Sequence, residues 1–170
     1  MNIIFLDVDG VLNSLPYCES LGQSESYNEI SDFHLRMLAK IYHTCHAKIV
    51  LSSTWRTLDD KSDEAAYPMY QYLVHSLAKY DMEIISKTPV LGMNRPLEIK
   101  TWLEEHSGEG EINYIILDDD FSMEEYAKYG IERRLIHTKY FCSKLSDGGL
   151  QQKHVEQSIQ MLRRPVVVFD

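Results

Sequence analysis

The sequence predicts an α/β protein, a three-layer, doubly wound and mostly parallel sheet with helices on both faces. Short apolar runs of strand length alternate with stretches whose apolar residues recur at helical spacing, the pattern of parallel strands joined through helices. Three of those runs end abruptly on polar residues: Asp7/Asp9, Ser52/Ser53 and Asp118/Asp119. In an open parallel sheet, ligands bind beyond the carboxyl ends of the strands. The chain has 170 residues, which suits a single domain, 1–170, large enough to bury a core.

The elements follow in order. Asn2 to Leu6 (NIIFL) is the first strand. Ser14 to Ile30 is polar, with Pro16 and Gly22, and reads as a loop or small flap. Ser31 is placed to cap a helix whose Leu35, Leu38, Tyr42 and Cys45 share one face. Ala47 to Leu51 is a second strand, and Thr57 to Glu64 a charged loop. Tyr67 to Tyr80 is a helix whose Met69, Tyr72, Leu73 and Leu77 face the sheet, followed by a strand over Met82 to Ser86. Asn94-Arg95-Pro96 opens the next helix, proline being tolerated in a first turn. Leu97, Ile99, Trp102 and Leu103 supply its apolar members. Asn113 to Leu117 is a fourth strand, and Ser122 with Glu125 has capping-box spacing for a short helix closed by Gly130. Leu135 to His137 is a fifth strand, Val155, Ile159 and Leu162 mark a last helix, and Val166 to Phe169 is a candidate edge strand.

Bulk properties narrow the function. Apolar residues make up 44% and charged residues 25% of the chain, a globular profile. No apolar run nears the ~20 residues that cross a bilayer, so no membrane partner is expected. The first apolar run has no basic flank and contains aspartates, unlike a signal peptide. Cys18, Cys45 and Cys142 are odd in number and scattered, which fits a reducing, cytoplasmic setting and offers no CxxC metal framework. A formal net charge of −9 argues against a broad nucleic-acid-binding surface but leaves phosphate chemistry open.

The candidate chemistry sits at the strand ends. Asp7 and Asp9 point the same way in an extended backbone, and two carboxylates that close need a divalent cation or a shared proton. With Asp118 and Asp119 they would make a hard, oxygen-lined site suited to Mg²⁺. A hydroxyl and a cationic side chain beside it would suit a phosphate.

These stretches resemble the haloacid dehalogenase (HAD) superfamily. FLDVDGVLN is similar to that family's first motif, KIVLSS to the second, Asn94-Arg95-Pro96 before a helix to the third, and YIILDDD to the fourth. The resemblance implies a HAD-like Rossmannoid fold; the segments from about Asn13 to Ala47 and from about Thr54 to Met82 are long enough only for small flap insertions and not for a large cap domain. It implies that Asp7 is the nucleophile, forming an aspartyl-phosphate, and Asp9 the acid and base. It also implies that Asp7, the Val8 carbonyl and Asp119 hold Mg²⁺, with Asp118 a further ligand or behind the ligands. Asp9 belongs to the acidic group as either ligand or proton carrier. Ser52 would bond phosphoryl oxygens, with Ser53 the shifted alternative, and Arg95 would stabilise the charge in the transition state. Lys87 and Lys100 compete with Arg95 for the third motif, although Lys100 should point elsewhere along its helix.

STWR after the second strand, the helix RPLEIKTWL, and Gly149-Leu150 before the last helix look like the HAD domains of RNA-repair proteins. That narrower likeness implies terminal phosphates of nucleic acid as substrate, and an open site without a cap would accommodate bulky phosphomonoesters such as nucleic-acid ends, phosphoproteins or phosphopeptides. Bland readings stand beside each residue. Trp55 reads as packed rather than base-stacking. Arg56 either binds a substrate phosphate or pairs with Asp59, Asp60, Asp63 and Glu64. Most histidines, Arg133-Arg134 and Arg163-Arg164 read as exposed, and Cys142 has no base partner. The alternatives are a catalytically degenerate HAD-like domain that binds phosphate or a partner, and a receiver-type phosphoacceptor, which places its acidic pair after the first strand and lacks Asp9.

Overall fold

In the computed structural model, which describes residues 1–22 and 29–163, five strands are interleaved with six α-helices, two of them between the first and second strands. The strands are β1 (Asn2–Leu6), β2 (Lys48–Leu51), β3 (Ile84–Lys87), β4 (Asn113–Asp118) and β5 (Leu135–His137). The helices are α1 (Leu15–Ser20), α2 (Asp32–Thr44), α3 (Tyr67–Ala78), α4 (Arg95–Glu105), α5 (Met123–Ala127) and α6 (Gln152–Arg163). The sheet is entirely parallel in the order β3-β2-β1-β4-β5. The expected doubly wound α/β architecture is therefore present.

Both faces of the sheet are covered, and β1 shows why. Its side chains alternate, so Ile4 and Leu6 join one apolar cluster while Ile3 and Phe5 join the other. The first cluster takes Leu35 and Leu38 of α2, Leu73 and Leu77 of α3, and Val155 and Leu162 of α6. The second takes Ile99 and Trp102 of α4 and Tyr126 of α5. A strand buried on both faces has to be apolar throughout, which is how β1 reads.

Local chemistry sets the boundaries. Asn94 caps α4 by accepting from Leu97 N, and Pro96 fills the first turn. Ser122 and Glu125 form the expected capping box on α5. The polar segment after β1 differs from its reading as a loop, because Ser14 caps a six-residue helix with Pro16 in its first turn. Ser31 stands at the N-cap of α2 but makes no side-chain cap bond. His34 and His154 are buried rather than exposed. The edge strand expected over 166–169 lies outside the described residues. No described helix is long and apolar enough to cross a membrane.

The sheet order fixes where a ligand can bind. β2 and β3 extend the sheet on one side of β1, and β4 and β5 on the other. The connections part between β1 and β4, leaving a crevice beyond their carboxyl ends.

Candidate active site

Backbone bonds carry the parallel register one residue past the strand ends. Asp7 N donates to Leu117 O at 3.0 Å and Ser52 N to Leu6 O at 2.9 Å. Thr88 N donates to Leu51 O at 3.1 Å and Thr138 N to Asp118 O at 3.0 Å. Asp7, Ser52 and Asp118 therefore sit on a rigid frame at one edge of the sheet.

Beyond that edge lies a cleft of about 270 Å³ lined by Asp7, Asp9, Thr54, Arg95, Asp119, Asp120, Tyr140 and Phe141. Asp7 is 4% exposed and Asp118 fully buried. Arg95 enters from the first turn of α4. Its Nη1 donates to Asp7 Oδ2 at 2.6 Å and also to Asp118 Oδ1. Asp118 Oδ1 also accepts from Asp120 N, and its Oδ2 from the Tyr126 hydroxyl. Both Asp118 oxygens thus accept hydrogen bonds and Asp118 does not line the cleft, whereas Asp119 does.

Carboxylate oxygens of Asp7, Asp118 and Asp119 all lie within 4.8 Å of one another. Burial pushes the Asp7 carboxyl well above the usual carboxylate range; Arg95 and the Ser53 hydroxyl pull it back, and Asp118 and Asp119 push it up further. Burial also raises Asp119, to about 6, with Asp118 and Asp120 adding to the effect. Burial opposes the charge on Arg95, but Asp7 and Asp118 more than offset it and hold the guanidinium protonated. Three crowded carboxylates share one cation, and the donors are all hard oxygens. That set fits a hard divalent cation.

The loop after β1 is built to admit this crowding. Gly10 has φ +75°, and a Cβ there would stand 2.0 Å from Asp119 Cγ. Its N–H donates to Asn13 Oδ1 at 2.8 Å. Glycine is therefore required for both conformation and space. Gly10→Ala is expected to lower the Tm by several degrees and to remove any activity of the cleft. A Tm within about 1 °C of wild type in a thermal melt would contradict this.

Several expectations hold in position and several need correction. Arg95 is the cation that reaches the acidic group. Lys100 pairs with Glu104 on its own helix, 3.5 Å away, as its place along the helix implied. Lys87 turns to Asp59 and to Arg56 O, lies over the Tyr70 ring and does not line the cleft. Arg56 pairs with neither the acidic run nor the cleft: its Nη2 meets Glu98 at 2.7 Å, both side chains being buried. Its Nη1 donates to Ser53 O at 2.8 Å. The Val8 carbonyl accepts from Val11 N and Leu12 N, so its lone pairs are spent in the turn and it is not a free ligand.

The Asp9 carboxylate stands outside the cluster of three. Asn13 Nδ2 donates to its Oδ1 at 2.9 Å and Trp55 Nε1 to its Oδ2 at 2.8 Å. Ser53 caps the turn that carries Trp55, while the Ser52 hydroxyl is buried with no partner among the described residues. Sequence reading missed Thr54, Asp120, Tyr140, Phe141, Asn13 and Glu98. Thr54, Asp120 and Asn13 lie inside stretches quoted above as motifs and were within reach. The aromatic pair lies in a polar loop after β5 and carries no signal.

An all-parallel sheet with acidic groups after β1 and β4, hydroxyls after β2 and an arginine opening the helix before β4 defines the class, an α/β protein of the HAD superfamily. Comparison with protein-family models matches residues 3–155 to the HAD domain in Swiss Army Knife RNA repair proteins, and the chain belongs to that family. Comparisons with curated proteins and with solved structures gave no match. Membership supports a phosphatase-type hydrolase acting on a phosphorylated substrate.

Proposed function

We propose that this protein is a Mg²⁺-dependent phosphohydrolase that works through an aspartyl-phosphate on Asp7, with nucleic-acid terminal phosphates as its substrate class. The observation that carries the chemistry is the bridging of Asp7 and Asp118 by Arg95, beside Asp119 in a cleft at the switch point. The substrate class rests on the family's link to RNA repair and on the absence of a cap-sized insertion among the described residues, which leaves the cleft accessible to a chain end.

Mg²⁺ would be held by Asp7 and Asp119, and when bound would offset negative charge between phosphate and carboxylates. Asp118, which shares Arg95 with Asp7, would be a further ligand or would stand behind the ligands and hold Arg95 in place. An Asp7 oxygen attacks phosphorus, and the bond from phosphorus to the leaving oxygen breaks. Asp9 gives that oxygen its proton, then takes one from the water that cleaves the aspartyl-phosphate. Arg95 and the unpartnered Ser52 hydroxyl meet charge developing on the phosphoryl oxygens, while Ser53 supports Asp7.

The test is a panel of 5′- and 3′-phosphorylated oligonucleotides, free nucleotides, sugar phosphates and p-nitrophenyl phosphate, with Mg²⁺ or EDTA. Hydrolysis that stops in EDTA and favours an oligonucleotide end is the expected result. Turnover that survives EDTA removes the metal mechanism, and preference for free nucleotides or sugars removes the nucleic-acid assignment.

A further inference from the structure

We propose that Trp55 is a positioning residue for Asp9: its indole N–H holds one carboxylate oxygen so that the other lone pairs serve proton transfer and stay out of the metal cluster. The inference rests on the phosphohydrolase reading above and adds to it a residue that works through the acid rather than on phosphorus.

The geometry is specific. Trp55 is 3% exposed and packs in the core shared with α2, α3 and β2. A buried indole is a donor only, with one N–H, and that N–H is directed at Asp9 Oδ2 at 2.8 Å. On the opposite side, Asn13 Nδ2 holds Oδ1 at 2.9 Å, and Asn13 Oδ1 is itself fixed by Gly10 N at 2.8 Å. A carboxylate offers about four acceptor positions, so this clamp leaves about two free. Asp9 lines the cleft, whereas its carboxylate lies outside the group formed by Asp7, Asp118 and Asp119. The clamp thus separates two roles that neighbouring aspartates would otherwise share.

Trp55 is in turn located from behind. Ser53 Oγ accepts from its backbone N–H, and Ser53 O is gripped by Arg56, whose charge is met by Glu98 on α4. The segment Ser53 to Arg56 therefore ties Trp55 to the same helix that presents Arg95.

A misplaced acid costs most where the leaving oxygen needs a proton. An alkoxide, such as the sugar oxygen of a nucleic-acid end, is a poor leaving group and needs protonation. The p-nitrophenolate ion leaves unaided. The experiment compares kcat/KM for p-nitrophenyl phosphate and for a phosphorylated oligonucleotide, in wild type and two variants. Trp55→Phe removes the donor and part of the ring. Replacement of Trp55 by 3-benzothienylalanine keeps the two-ring shape and removes only the N–H, so packing is preserved.

Both variants are expected to lose about 10²-fold on the oligonucleotide, the scale of general-acid catalysis, and no more than about threefold on p-nitrophenyl phosphate. If the shape-preserving variant loses both substrates equally, or neither, the positioning role is overturned while the phosphohydrolase reading stands. A wild type inactive on both in Mg²⁺ overturns that reading and this inference together.

Discussion

Asp7→Asn is expected to reduce hydrolysis of every phosphomonoester by at least about 10³-fold, or ~4 kcal/mol of transition-state stabilisation. An amide is a far weaker nucleophile toward phosphorus than a carboxylate, and the two acidic neighbours of Asp7 are engaged elsewhere. Asp9 is held by Asn13 and Trp55, and Asp118 is occupied by Arg95, Tyr126 and the Asp120 N–H. The variant should still fold, because asparagine keeps the shape of the side chain and Asp118 retains its contact with Arg95. Steady-state kinetics with p-nitrophenyl phosphate and a circular-dichroism spectrum together check it. A folded variant with a tenth of wild-type turnover would remove Asp7 as nucleophile.

The second large effect concerns Arg95, where two replacements should diverge. Arg95→Leu removes the cation shared by Asp7 and Asp118 and leaves two buried carboxylates facing each other. Breaking a buried ion pair on one side costs about 3–5 kcal/mol, so a marked drop in Tm is expected in metal-free buffer. Catalysis should fall about 10²- to 10³-fold, the scale for losing a preorganised donor to developing charge. Arg95→Lys should stay within about tenfold of wild type, because a single nitrogen, Nη1, reaches both carboxylates and one ammonium can do the same. If lysine proves as damaging as leucine, the planar guanidinium is doing something beyond bridging the pair. Thermal melts and kcat/KM on one preparation of each variant decide the matter.

Much of this was legible beforehand because it depends on short-range rules. The opening strand had to be buried on both faces, since NIIFL has no polar member after Asn2. Pro96 and Asn94 marked the start of α4, and Ser122 with Glu125 that of α5, because caps are local hydrogen bonds. The short helix after Ser14 was missed where six residues among serines carried too little periodicity to outweigh their polarity.

The partners of charged side chains were less legible. Arg56 has four acidic residues within eight positions, yet it pairs with Glu98, 42 residues away. A buried guanidinium needs a buried carboxylate, and no spacing rule announces which helix will deliver one. Lys87, a competitor for the third motif, ends instead on Asp59.

By itself the sequence determined the alternation of strands and helices, the strand ends where aspartates and serines collect, and hence the end of the sheet at which the acidic cleft lies. Those features follow from periodicity and from the cost of burying charge. Only the tertiary structure decided which of three cations reaches Asp7, that Asp118 is buried against Arg95 and Tyr126 while Asp119 faces the cleft, and that the Val8 carbonyl is spent in the turn. It also turned Trp55, legible only as a packed residue, into the donor that holds Asp9. The reason is physical: hydrogen bonds and ion pairs between residues far apart in the chain depend on where packing places the backbone, and packing is a property of the whole core.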